Sequence, residues 1–266
     1  MLGYGVSQER GEKMAAEQKA PQFMKKLKEV TEGRAQPLGF TPALPTKLPP
    51  ILLVGELASE QREQIAPALL KELDAVLLRS GNLPTDDLLH KLGEEKLPWG
   101  LWPKGTLAAE PARLAELGCE FVVLGEGDPA GLLQEKKLDW VLEVSSNLTD
   151  GLARAAGKLP VNAVLFTDQI SLPLKVGQLL NYQRLIDLIG KPSLICLIGE
   201  ISPGDLTALC EVGFRAIVLD LGQENLEKLE ALRKAIATLR PARRKAEEAA
   251  AALPLAEPEE FTGEEI

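Results

Sequence analysis

Eight short apolar runs, each followed by a helix-patterned stretch, constrain this 266-residue chain more than any other feature. The runs are ILLVGEL (51–57), DAVLLRSG (74–81), PWGLWPKG (98–105), EFVVLGEG (120–127), DWVLEVSS (139–146), NAVLFTDQ (162–169), SLICLIGE (193–200) and RAIVLDLG (215–222). Nearly continuous apolar runs suit strands of a parallel sheet, whose two faces are both covered. Helical stretches follow each run. SEQREQIAPALLKEL opens at Ser59, and PTDDLLHKLGEEK places acidic residues early, as a helix start favours. AAEPARLAELG closes on Gly118, and the long SLPLKVGQLLNYQRLIDLIG closes on Gly190. Ser202 stands as an N-cap with Pro203 at the first helical position.

Strands alternating with helices imply right-handed βαβ units. Eight units with no ninth match an α/β fold of one kind, a single compact (β/α)₈ TIM barrel. At roughly 190 residues it is smaller than the usual ~250, so its loops must be short. An open, doubly wound sheet is the alternative. PLGF (37–40) could be an extra strand, but it fits better as a cover for the barrel's bottom or side.

The expected domains are an N-terminal polar, proline-rich extension (1–47), the barrel (48–241) and an acidic tail (242–266). Within the extension, APQFMKKLKEVTEG reads as a short amphipathic helix with Phe23, Leu27 and Val30 on one side. The end, EEAAAALPLAEPEEFTGEEI, carries seven Glu and no Lys or Arg, and reads as a disordered acidic tail. Aromatics make up only 4% of the residues, so the core must be mainly aliphatic. A net charge of -9 argues against nucleic acid as partner. No run is long and apolar enough for a membrane span or a signal peptide, and Cys119, Cys196 and Cys210 form no CxxC. Reduced thiols in a cytoplasmic protein are expected.

In a barrel of this type the functional residues follow the strands. In order they are Glu56; Arg79 with Ser80 and Asn82; Lys104; Glu126 with Asp128; Glu143 with Ser145 and Asn147. Thr167 with Asp168 and Gln169, Glu200 with Ser202, and Asp220 with Gln223 complete the ring. The catalytic candidates are Lys104, Glu143 and Asp168. The ligand-binding candidates are Arg79, Glu126, Glu200, Ser202 and Asp220. Lys104 could act as an electrophile or Schiff-base lysine if desolvated, with Glu143 or Asp168 as general base. Converging carboxylates would suit Mg²⁺. The competing reading is structural: Asp128, Ser146 and Ser202 cap helices, while Glu56 and Glu200 pair with Arg79, Lys104 or Lys175. His90 falls inside a helix, where a structural or surface role is expected. Trp99 and Trp102 fit packing better than ligand stacking.

Residues 192–222 carry a further signal in GEIS (199–202), PGDLTALCEVGF (203–214) and AIVLDLGQ (216–223). They resemble the terminal quarter of phosphate-binding (β/α)₈ barrels, a superfamily that includes thiamine phosphate synthase, indole-3-glycerol phosphate synthase and inosine monophosphate dehydrogenase. Its usual form has a Gly-Gly-Ile turn, a helix written S/TPEDAxxLxxLGA, and a last strand ending in small residues. The resemblance implies a phosphate site between the last two strands. This chain departs there. Glu200 replaces the second glycine, and Asp220 and Leu221 stand where small residues would expose N–H groups. Two carboxylates facing a phosphate repel it, so the site is expected to be degenerate.

Two functions follow. One is a non-catalytic or ligand-binding scaffold that could recruit a protein partner through its tails, with Lys25, Lys26 and Lys28 at one end and Phe261 and Ile266 at the other. The alternative is a lyase or aldolase-type enzyme acting on a small carbonyl or carboxylate substrate through Lys104 and a carboxylate. It requires Lys104 to point into the barrel beside that carboxylate. Oligomeric state is open.

Overall fold

The computed structural model describes residues 22–32, 49–58, 65–107, 110–168, 170, 172–222 and 226–239. Eight strands close into a parallel barrel in sequence order, with the last strand pairing with the first. They are β1 (Leu52–Ala58), β2 (Ala75–Ser80), β3 (Trp99–Pro103), β4 (Cys119–Leu124), β5 (Asp139–Val144), β6 (Ala163–Phe166), β7 (Ser193–Leu197) and β8 (Phe214–Asp220). The open-sheet alternative is thereby excluded. Helix α1 (Gln22–Glu32) precedes the barrel. Between the strands lie α2 (Pro67–Lys71), α3 (Asp86–Glu94), α4 (Pro111–Glu116), α5 (Asp150–Lys158), α6 (Val176–Ile189) and α7 (Pro203–Val212), and α8 (Leu226–Thr238) ends the set. After β4 the chain makes only a 3₁₀ turn, Ala130–Gln134. Ser59, PLGF (37–40) and the acidic tail (242–266) lie outside the described residues.

Strand alternation divides the apolar residues into two bodies. Outward residues such as Leu53, Val76, Trp99, Val122 and Ile217 pack under the helices. Inward residues such as Val54, Leu77, Phe121, Val141, Leu165 and Val218 fill the barrel. Small residues make room for large ones inside. Gly100 pairs with Phe121 across β3 and β4, and a Cβ at Gly100 would stand 2.4 Å from the Phe121 ring.

The amphipathic helix anticipated near the N-terminus forms, and its apolar face joins the inner body. Phe23 and Leu27 are wholly buried and Met24 nearly so, in one cluster with the barrel's inward residues. The Phe23 ring stacks on Phe121 at 4.9 Å between centroids. The Phe23 N–H donates to Glu120 Oε2 at 2.9 Å, placing a carboxylate at the helix N-terminus, where the dipole favours it. So α1 plugs the base of the barrel, and its apolar side is already used.

The seam between the last helix and the first strands is tied at the same end. Asp74 Oδ2 accepts from the Leu53 N–H at 3.0 Å and from Arg233 Nη1 on α8 at 2.8 Å. At α7, Ser202 is the N-cap, accepting from the Asp205 N–H at 3.1 Å, with Pro203 following. The expected caps Asp128 and Ser146 differ. Pro129 and Thr149 hold those cap positions, and both anticipated residues serve loop hydrogen bonds instead.

Candidate functional site

The C-terminal mouth of the barrel is where inward side chains meet solvent. The upper inward positions are Glu56 on β1, Arg79 on β2, Trp102 on β3, Glu143 on β5, Cys196 on β7 and Asp220 on β8, which pairs with Glu56 across the closing seam, with Thr167 just past β6. Four contacts join five of them across the mouth. Arg79 Nη1 donates to Glu56 Oε1 at 3.2 Å, and the Arg79 guanidinium lies 4.2 Å from the centre of the Trp102 ring. The Trp102 indole Nε1–H donates to Glu143 Oε2 at 3.3 Å, and Thr167 Oγ1 donates to Glu143 Oε1 at 3.1 Å. Each Glu143 oxygen thus accepts one bond and keeps further acceptor capacity.

These bonds differ in strength. The Arg79 side chain is 46% exposed and that of Glu56 14%, so their pair contributes at most about 1 kcal/mol. The Arg79–Trp102 contact adds roughly 0.5–1 kcal/mol at such an exposed site. Trp102 is buried and Glu143 half-buried, so the charge-assisted bond between them is better shielded. Beneath them lies Cys196. Burial pushes its thiol pKa up, with Glu56 adding to the effect, Arg79 opposing it and Glu143 adding again.

A cavity of about 260 Å³ opens beside this row, between β3, β4 and β5. Trp102, Val123, Gly125, Asp128 and Glu143 line it. Gly125 lies between the two acids, its Cβ position 3.8 Å from Glu143 Oε2 and 4.0 Å from Asp128 Oδ2. Asp128 holds the loops in place: its carboxylate accepts from the Leu107 N–H at 2.8 Å and the Gly125 N–H at 2.9 Å.

Of the other anticipated residues Asp220 stands beside Glu56 at the mouth, and the rest are dispersed. Lys104 follows the last residue of β3, is exposed, and forms no ion pair with a carboxylate among the described residues. Its backbone N–H bonds to the Ser80 carbonyl. Pro103 and Gly105, the latter with φ at +89°, turn the chain outward at this point. The condition for lysine chemistry, burial beside a carboxylate, is therefore not met. Asp168 is half-buried but engaged, accepting from Ser145 Oγ at 3.0 Å and from the Ser146 N–H. Nearby Tyr182 has its pKa pushed up to about 12, by burial first and by Asp168 second.

Glu126 is exposed. Glu200 is 79% exposed and pairs with Lys228 Nζ at 2.9 Å, a partner the sequence reading did not name. Asp220 Oδ1 accepts from the Gly222 N–H at 2.9 Å. Ser202 is occupied in capping α7. His90 lies on the outer surface of α3, 3.4 Å from Glu94. Trp99 faces the helices and Trp102 the barrel interior. Among the described residues no three Asp, Glu, His or Cys side chains gather as a metal site.

Trp102 and Thr167 stand out in space more than in sequence. Their signal was strand parity: counting by twos from a buried inward residue places Trp102 above Gly100, and Thr167 above Leu165.

No protein-family model matches the sequence, and no curated protein matches it. Solved structures do match. The tryptophan synthase α-subunit from the hyperthermophile Pyrococcus furiosus aligns at 13% identity and a TM-score of 0.53, over 71% of this chain and 97% of that one. A thiamine phosphate pyrophosphorylase from Pyrococcus furiosus aligns at 16% identity and a TM-score of 0.51, over 70% and 96% respectively. At these identities the likeness shows the fold, a (β/α)₈ barrel whose structural neighbours are enzymes. Among the described residues no helix is long and apolar enough to cross a membrane.

Proposed function

We propose that this chain is a ligand-binding (β/α)₈ barrel that holds a small molecule at its mouth against Glu143, without lysine-based chemistry. The observation that carries this reading is Glu143 itself. Its carboxylate is held by Trp102 and Thr167 and lines an open cavity, with Asp128 as the second acid. Small-molecule sites commonly combine an apolar wall with a few fixed polar groups. Two carboxylates and no cation in the lining favour a ligand rich in hydrogen-bond donors, such as a polyol or an amine. The same charge disfavours a phosphate ester.

The phosphate position between β7 and β8 is read as degenerate. Glu200 and Asp220 both bring negative charge there, and Lys228 is engaged with Glu200. The lyase reading needs a desolvated lysine beside a carboxylate, and exposed Lys104 gives it no support.

A thermal-shift screen tests the proposal. A ligand at a hundred times its Kd stabilises the folded state by about 2.7 kcal/mol, which raises Tm by roughly 5–11 °C for a domain of this size. Polyols or amines should give such shifts, and Glu143→Gln should abolish them. Shifts produced by phosphate esters, or retained in Glu143→Gln, would overturn the reading.

A further inference from the structure

Between β3 and β4 the strand pairing slips by one residue. Trp99 pairs with Cys119, and the next residue, Gly100, pairs with Phe121, so β4 inserts Glu120 as an extra residue at this step. The faces of β4 show the consequence. Cys119 belongs to the outer apolar body, yet Phe121, two residues on, belongs to the inner one, followed by Val122 outside and Val123 inside. Strict alternation would put Cys119 and Phe121 on one face. The extra residue therefore turns Phe121 and Val123 into the barrel. Bulges of this kind re-aim side chains, and they are rare in parallel pairs.

Helix α1 grips the bulge at two points. The inserted residue, Glu120, accepts the Phe23 N–H through Oε2 at 2.9 Å, and the Phe23 ring stacks on Phe121. The Phe121 ring in turn fills the space beside Gly100, two residues below Trp102 on β3. Val123, two residues above Phe121, lines the mouth cavity together with Trp102. Three layers stand on one another: α1 at the base, Phe121 with Gly100 in the middle, and Val123 with Trp102 at the mouth.

We propose that α1 is a clamp on the Glu120 bulge and that, through it, the base of the barrel sets the geometry of the mouth. With α1 docked, Phe121 holds β3 and β4 in the slipped register and keeps Trp102 on Glu143. With α1 lifted from the base, the bulge loosens and the bond between Trp102 and Glu143 opens more often. Phe23 and Glu120 are thus positioning residues for a site that neither of them touches. The coupling is reciprocal, so whatever fixes Trp102 on Glu143 also holds α1 to the base. This deepens the ligand reading of the mouth and rests on it only in taking Trp102 and Glu143 as the site.

Hydrogen exchange at the Trp102 indole N–H, read in the ¹⁵N-labelled full chain without ligand, tests this, because exchange requires the bond to Glu143 to open. Glu120→Ala removes the acceptor and leaves the core in place. Phe23→Leu keeps an apolar side chain in the base, so the chain still folds. Each should raise the Trp102 rate at least about threefold and leave unchanged that of Trp140, whose indole donates to the Glu135 carbonyl at 3.0 Å. Trp102→Phe keeps a ring but loses the N–H, and the backbone amides of α1 should then exchange faster. Trp102 rates unchanged in both base variants overturn the proposal. So does equal acceleration at Trp140, which means general loosening, and so do α1 amides unchanged in Trp102→Phe. The clamp can fail in these rates while a polyol or an amine still binds, and it can stand where neither does.

Discussion

Replacing Phe23 by alanine tests whether α1 belongs to the barrel's interior. The ring is wholly buried, lies 4.9 Å from Phe121, and shares a cluster with inward residues of the strands. Truncating a buried phenylalanine costs about 3–5 kcal/mol, because the transfer energy is lost and a cavity remains. The same Phe121 ring also packs against Gly100, so the void would open inside the barrel's inner cluster. For a domain of this size the loss lowers Tm by roughly 6–20 °C. Lys25→Ala, on the exposed side of the same helix, should change stability by less than about 0.5 kcal/mol. Thermal melts of the three proteins by circular dichroism decide it. If Phe23→Ala melts within about 2 °C of Lys25→Ala, the helix is not a plug and the reasoning fails.

Other expectations follow from the same packing and electrostatics. Gly100→Ala drives a methyl into the Phe121 ring and should cost about 1–3 kcal/mol in urea unfolding; a neutral result would mean the ring has another place to go. Burial, the larger influence, raises the Asp139 pKa, with Lys28 and Asn162 opposing it. The folded state thus holds that proton more tightly than the unfolded chain, so the group's stabilising contribution is fully present below the ordinary carboxylate value of about 3.9 and is lost as pH rises through the folded value. Asp139→Asn should therefore gain stability relative to wild type between about pH 4 and about pH 7, and an opposite slope in paired urea titrations would contradict the assignment. Burial raises the Cys119 and Cys196 thiols, and Cys210 is buried. Iodoacetamide should leave buried Cys119 and Cys210 unlabelled in the folded chain, label half-buried Cys196 slowly, and label all three in denaturant, read by intact mass; rapid labelling of Cys119 or Cys210 would contradict their burial.

The barrel was legible because parallel strands covered on both faces read as apolar runs, and eight of them were countable. Their ends were not legible to the residue. Run 98–105 included Lys104, whereas β3 stops at Pro103 and the turn carries Lys104 into solvent. That small difference separates an interior lysine from an exposed one. Glu143 was legible as a strand-end acid, but its holders were not, because Trp102 and Thr167 approach it from other strands 41 and 24 residues away in sequence. Asp168 looked catalytic for the same reason that it is occupied: an acid at a strand end is well placed to collect loop N–H and hydroxyl groups. The partner of Glu200 was missed because Lys228 lies on α8, a full strand later.

The most direct test of a ligand held at the barrel mouth is the indole N–H signal of Trp102 in a ¹⁵N-labelled full chain. Trp102 donates to Glu143 and lines the cavity, while Trp99 packs under the helices and the Trp140 indole donates to the Glu135 carbonyl. Titration with polyols and amines should move the Trp102 signal saturably, leave the other two in place, and lose its effect in Glu143→Gln. A Trp102 signal that stays fixed throughout, or moves only with phosphate esters, would contradict the account.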